Sequence, residues 1–477
     1  MLARTFAALS LAAIGTGFMT DTAAPSLWRL ELEAMLRLSA PLAAANLLQM
    51  MVHTIDVIFV ARLGEVPLAA SSLSISVFGL MMWCFSGLTG AVAPLIAAEL
   101  GRRKHAVREV RRSVRMALWL SVLCGLVGMA VSSFGEEIML ATGQDQAVSA
   151  AAGGFMAVLL WAMIPMIVAN VLRTFVAALG RPVFATAITA LAIFVNALGN
   201  YAFVFGNFGA PELGLEGSAV SSVLTSVAMV AAYVIAIAAD RRLRRYHIFG
   251  RWWRPEWSRL AEIMKIGTPI AFTILAEAGL FSGAAFLMGW IGPAELAGHT
   301  VALQIAALAF QVPFGIGQAA TIRVGYHFGA GDRAGIGRAG WAALTLSIGF
   351  MALPASAMLL IPRTILSLYV DPAAAANAAM VGFAVQYMIV AAAFQLFDGV
   401  QAVAAGALRG LQDTKMPMAI AIFGYWLPGM GTAIWLGFRT SLEGTGVWIG
   451  LAVGLVVVAG LLTWRWHCRE RLGLLPG

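Results

Sequence analysis

The chain is poor in charge. Asp, Glu, Lys and Arg make up 11% of its 477 residues, against 61% hydrophobic residues. Mean hydropathy is +0.86. A soluble domain carries about 25% charged residues, so this chain cannot cover a water-facing surface and reads as a polytopic membrane protein. Cysteine is also scarce. Cys84, Cys124 and Cys468 are scattered and odd in number, which argues against a disulfide framework. No zinc spacing, P-loop, dinucleotide glycine pattern, serine elbow or HExxH run is present. Those absences leave an intramembrane enzyme with little support. The net charge of +8 sits in a few short loops, as in membrane proteins, and gives no reason to expect a nucleic-acid partner. The apolar runs show no period-2 alternation, which excludes a strand-based barrel.

A spanning helix needs about 20 mostly apolar residues. Twelve such stretches are read at 35–60, 67–98, 114–134, 148–178, 182–205, 216–239, 263–290, 296–326, 339–361, 375–409, 416–437 and 444–466. Seven bases lie between Arg102 and Arg115, after helix 2, and six between Arg241 and Arg254, after helix 6. The loops after helices 3 and 5 instead carry Glu136, Glu137, Asp145, Glu212 and Glu216. Bases therefore follow even-numbered helices, and both termini are expected in the cytosol. The basic runs also suit contact with anionic lipid. Residues 1–20 have one base and a short apolar run, like a signal peptide or an upstream extension.

The two halves repeat. LRLSAP at 36–41 aligns with MKIGTP at 264–269, an offset of 228 residues. The same offset pairs Gly64 with Gly292, Leu68-Ala69 with Leu296-Ala297, Gly87 with Gly315 and Gly101 with Gly329, without a gap. Six helices per repeat make the repeats parallel, related by an axis along the membrane normal. The expected division is a tail at 1–28, an N-lobe at 29–239, a basic linker at 240–259 and a C-lobe at 260–477. Two pseudo-symmetric lobes rocking about a central cavity is the mechanical expectation.

Three acids lie inside apolar runs: Asp56, Glu277 and Asp398. Each costs roughly 3 kcal/mol or more at membrane depth, so each is a candidate for handling a proton or a cation. At the repeat offset Glu277 falls opposite Gln49 and Asp56 opposite Ala284, so each lobe has its own polar chemistry. In helix 1, Asn46, Gln49, His53 and Asp56 share one face. Asn46 and Gln49 read better as interhelical hydrogen-bonding groups. Asn196 and Asn200 sit one turn apart on helix 5, as do Ser218 and Ser222 on helix 6. Amide oxygens with a carboxylate suit a hard cation such as sodium. On helix 10, Gln395, Asp398 and Gln401 lie close together, and Glu277 shares a helix face with Thr273 and Phe281. Asp413 and Lys415 read as parts of a loop.

These residues bring a family into view. VHTIDVIFVARLGEVPLAA, GAVAPLIAAELG, FVNALGNYAFVFGNFGAPELGLEG, KIGTPIAFTILAEAGLF and FDGVQAVAAGALRGLQDTKMP resemble segments of the MATE (multidrug and toxic compound extrusion) transporters. The NorM-type bacterial branch is the most similar, and the likeness runs from about Arg37 to the last helix. The resemblance implies an all-α integral membrane protein with twelve helices in two six-helix lobes. It implies export of cationic amphipathic drugs across the bacterial inner membrane, by antiport with sodium or protons. Carried over by motif, Asp56, Asn196, Asn200 and Ser222 look like an N-lobe cation site, and Glu277 with Asp398 like its C-lobe counterpart. Ser222 stands where many relatives have Thr. Phe394 stands where some have Tyr, which removes a hydroxyl. Gln49, His53, Thr273, Phe394 and Gln395 are the expected substrate-cavity residues.

The partners expected are the bilayer and cationic small molecules, with no cofactor and no obligate protein partner. A lipid-linked oligosaccharide flippase is the rival reading; its cavity should hold several bases for pyrophosphate, whereas this one is expected to be acidic.

Overall fold

The computed structural model describes residues 26–103, 105–250 and 254–476. The expectation for residues 1–20 lies outside the described residues, as do Lys104 and Arg251. Among the described residues, twelve helices are long and apolar enough to cross a membrane. In the N-lobe they are α1 (Leu27–Ala61), α2 (Glu65–Arg102), α3 (Ala106–Ser132), α4 (Gln146–Ala178), α5 (Val183–Phe205) and α6 (Leu215–Ala239). In the C-lobe they are α7 (Trp257–Ile291), α8 (Pro293–Ala330), α9 (Arg333–Leu360), α10 (Ala375–Gly410), α11 (Lys415–Arg439) and α12 (Glu443–His467).

All twelve expected spans are present, but several ends move. Helix α1 begins at Leu27 and not 35, and α7 at Trp257 and not 263. The extra turns are polar, and a hydropathy window cannot include them. They stay helical because ion pairs hold them: Arg259 with Glu262 at 2.8 Å in α7, and Glu31 with Arg323 at 2.6 Å in α1. The expected linker 240–259 therefore gives up its last residues to α7, and Arg241–Arg244 within it form a short helix. Helix α2 is broken at Ala91, between Glu65–Gly90 and Val92–Arg102. Helix α11 contains a π-helical stretch, Tyr425–Met430, around Pro428. A proline in a helix removes a hydrogen bond and crowds the turn before it.

Large apolar side chains point outward, as a lipid-facing surface requires. Trp83, Trp161, Phe194, Phe286, Trp290 and Trp435 are all exposed.

The lobes meet along one end, the end that carries the basic loops. Here α1 packs on α8 and α2 on α7, and these two contacts are equivalent under the repeat. A Cβ on Gly87 would come within 3.7 Å of Ala271 N, and one on Gly315 within 2.7 Å of Ala43 N. A Cβ on Gly101 would meet Tyr326 O, and one on Gly329 would meet Ala98 O. Each contact maps onto its partner by the 228-residue offset. The repeated glycines thus let backbone touch backbone across the lobe interface. Among the described residues, the cross-lobe side-chain hydrogen bonds stop at Asn46 on α1 and Gln311 on α8.

Candidate functional site

In the N-lobe, Asp56 is 7% exposed, and the Asn196 and Asn200 side chains are fully buried. Asn196 Nδ2 donates to Asp56 Oδ1 at 2.9 Å, and Asn200 Nδ2 donates to the same oxygen at 2.8 Å. Ser222 Oγ donates to Asp56 Oδ2 at 3.4 Å. Helices α5 and α6 thus deliver three neutral groups to one carboxylate on α1. Ser221 completes the arrangement, and sequence reasoning missed it. Its Oγ donates to Asn196 O at 2.8 Å and lies 3.2 Å from Asn200 Nδ2. It can do so because α5 and α6 approach closely at Gly199, where a Cβ would stand 2.5 Å from Ser221 Oγ. Asn200 Oδ1 is buried without a donor, an acceptor beside a carboxylate. His53 is exposed one turn before Asp56 and within electrostatic reach of it. Gln49 is half-buried on the same face.

Asn46 does what interhelical hydrogen-bonding groups do. It accepts from Arg173 Nη1 at 3.2 Å and donates to Gln318 Oε1 at 3.4 Å, so it ties α1 to α4 and, across the interface, to α8.

In the C-lobe, Gln401 joins the two acids. Its Nε2 donates to Glu277 Oε1 at 3.1 Å and to Asp398 Oδ1 at 3.3 Å. Its Oε1 accepts from Tyr425 Oη at 3.0 Å. Tyr425 opens the π-helical stretch of α11, and π turns recur at functional sites because they re-aim side chains. Pro428 inside an apolar run was the signal that could have found it. Arg409, on the last turn of α10, acts electrostatically on Glu277 and Tyr425; sequence reasoning missed it too.

The expected substrate-cavity residues of the C-lobe divide. Thr273 is half-buried, and its hydroxyl donates to Pro269 O at 2.9 Å. Phe394 and Gln395 are 1% and 0% exposed, so the structure places them inside the lobe and not on an open cavity wall. Phe394 packs edge-on against Trp448 and Phe281, and Gln395 Nε2 donates to Ala306 O at 3.3 Å. Both lie on the face of α10 that packs against α8 and α12, which a sequence pattern cannot tell from a cavity face.

Asp56 and Asp398, at 7% and 5% exposed, and the half-buried Glu277 differ in one respect from two other enclosed carboxylates. Glu31 and Glu99, at 6% and 5% exposed, both pair with arginines. Among the described residues, Asp56, Glu277 and Asp398 take part in no ion pair; amides and a hydroxyl are their hydrogen-bond partners.

A two-lobed bundle of twelve membrane helices, with enclosed carboxylates in each lobe, is the architecture of a membrane transporter. The MatE family model matches the chain twice, over residues 41–202 and 269–435. The second match starts 228 residues after the first, at the offset of the internal repeat. The chain belongs to the MatE family, whose members are transporters and not enzymes. It is 43% identical over 447 residues to a probable multidrug resistance protein NorM of Mesorhizobium japonicum, covering 94% of this chain and 96% of that one. A protein of the same name from Brucella suis is 42% identical over 440 residues, covering 92% and 93%. The fold matches the eukaryotic MATE transporter AtDTX14 with a TM-score of 0.82, at 20% identity over 94% of this chain and all of that one. It matches a MOP superfamily transporter from Pyrococcus furiosus equally well, with a TM-score of 0.82 at 21% identity over 96% of this chain and 99% of that one.

Proposed function

We propose that the protein exports cationic amphipathic drugs across the bacterial inner membrane, by alternating-access antiport with sodium or protons and with both termini in the cytosol. The observation that carries this reading is the contrast among its buried carboxylates. A structural acid at depth is balanced by a base, because an unpaired buried charge is costly. Among the described residues, Asp56, Glu277 and Asp398 take hydrogen bonds from neutral groups alone. They can be neutralised by a proton or a sodium ion, and that event can bias one facing state over the other. In the N-lobe, Asp56, the hydroxyl of Ser222 and the amide oxygens of Asn196 and Asn200 offer the oxygen donors a sodium ion prefers. The Asn200 amide has two hydrogens for several acceptors, so it can rotate to present Oδ1 to an ion. The relatives named for multidrug resistance support the drug substrate, and the acids support its positive charge.

Proteoliposomes with imposed sodium or proton gradients test this. Drug-driven release of the gradient and gradient-driven ethidium efflux are expected for the native chain, with anionic dyes exported less. Asp56→Asn, Glu277→Gln and Asp398→Asn should each abolish coupled efflux while leaving expression intact. Full gradient-driven efflux in all three would sink the carboxylate mechanism.

A further inference from the structure

The end at which the lobes meet is sealed by charge: Arg112 and Arg115 of α3 pair with Glu256 at the start of α7, and two further clusters pair N-lobe acids with C-lobe bases. Glu31 on α1 accepts from Arg323 on α8 through both oxygens, at 2.9 and 2.6 Å. Its Oε2 also lies 3.6 Å from His327 Nε2. Across the pseudo-two-fold, Arg259 on α7 pairs with Glu99 on α2 at 3.3 Å and with Glu109 on α3. The 228-residue offset maps Glu31 onto Arg259 and Glu99 onto His327. The Glu31–His327 contact is therefore the equivalent of Arg259–Glu99 with acid and base exchanged, whereas Arg323 falls opposite Leu95 and strengthens one cluster alone. At these positions the N-lobe supplies the acids and the C-lobe the bases. Glu31, Glu99, Arg323 and His327 are all 9% exposed or less, so these pairs are not surface ornaments of marginal strength.

The clusters differ in what each partner keeps if the lobes part. Glu99 also pairs with Arg102 at 3.1 Å, Glu109 with Arg112 at 3.1 Å, and Arg259 with Glu262 at 2.8 Å. Each of those second partners lies in the same lobe as the residue it holds. Among the described residues, the ion pairs of Glu31 all run to α8. Opening this end would leave Glu31 without a base among the described residues, whereas Glu99 would retain Arg102 and Arg259 would retain Glu262.

We propose that these two charge-exchanged clusters form the latch that holds the lobes closed at this end, and that Glu31–Arg323 is its dominant half. The inference rests on the alternating-access reading and deepens it. These are positioning residues: they set the balance between facing states and touch neither ion nor drug. A buried pair broken on one side is strongly destabilising, so the closed state is favoured until binding in the lobes outweighs the latch.

Paired cysteines at Arg103 and Tyr326, whose side-chain ends lie 3.5 Å apart across the interface, report closure by cross-linking with a bifunctional thiol reagent long enough to replace the two lost side chains, in a background free of native cysteines. Glu31→Arg sets two arginines against each other and should lower the cross-linked fraction about tenfold, as loss of a buried pair would. Glu31→Gln should act in the same direction, which covers the case in which the reversal fails to fold. The double reversal Glu31→Arg with Arg323→Glu should restore cross-linking, and Glu99→Gln should have a smaller effect than Glu31→Gln. Parental cross-linking in Glu31→Arg and Glu31→Gln, or no recovery in a monodisperse double variant, overturns the latch. Cross-linking needs neither drug nor gradient. Loss of coupled efflux in the parent with an intact cross-linking pattern would therefore overturn the antiport reading and leave the latch standing.

Discussion

Asp56 shows how few atoms define the N-lobe site. One carboxylate oxygen takes two amide donors and the other a hydroxyl, and among the described residues Asp56 takes part in no ion pair. Gln401 plays the corresponding part in the C-lobe, with its amide nitrogen shared between Glu277 and Asp398 and its oxygen fixed by Tyr425. A glutamine free to turn would serve neither acid reliably. Tyr425→Phe removes the hydroxyl that fixes it and leaves a buried amide oxygen unpaired, at a cost of about 1–3 kcal/mol. The expected result is drug binding that persists but responds less to the coupling cation. Equilibrium dye binding across a cation titration measures this. An unchanged cation response with a lowered melting temperature would make Tyr425 a packing residue only.

At the scale of the helix, the N-lobe site depends on how closely α5 and α6 approach. Gly199 permits it, and Ser221 fills the space that a Cβ would take. Gly199→Ala should push the helices apart and cost about 1–3 kcal/mol, as overpacking does. A lower melting temperature together with a weaker cation response is expected. Rescue of both by Ser221→Gly would show that the clash itself is responsible. The helices themselves were legible in the chain, because about 20 apolar residues in a row have few other fates. Their ends were less so. The first turns of α1 and α7 are charged, and they remain helical through ion pairs within the helix and to other elements. Phe394 and Gln395 illustrate the same limit. Their spacing marks one face of α10, and only the packing of α8 and α12 shows that this face is interior.

For the whole molecule, the asymmetry of loop charge sets the expected orientation. A cysteine at Arg244 should be shielded from an impermeant thiol reagent in intact cells, and one at Glu136 should react, with the native cysteines removed. Arg244 sits in the short helix between the lobes, and Glu136 in the short helix after α3. The opposite labelling pattern would reverse the topology. It would also move the latch to the outer face, so this measurement decides which side of the membrane the closed end seals.

The sequence by itself determined the class, the number of spans, the repeat and the identity of the three acids. Each of these is a local or periodic property: an apolar run, a fixed offset, a charge where charge is costly. Tertiary structure alone decided what those acids touch. Gln401, Tyr425 and Ser221 are ordinary polar residues in sequence, and they matter because separate helices bring them within hydrogen-bonding distance of one another and of the acids. It also decided the exchanged charges at the closed end. The offset aligns Glu31 with Arg259 and Glu99 with His327, and alignment shows only that they differ. That they meet across an interface depends on two lobes docking about an axis, and no single segment of the chain encodes that contact.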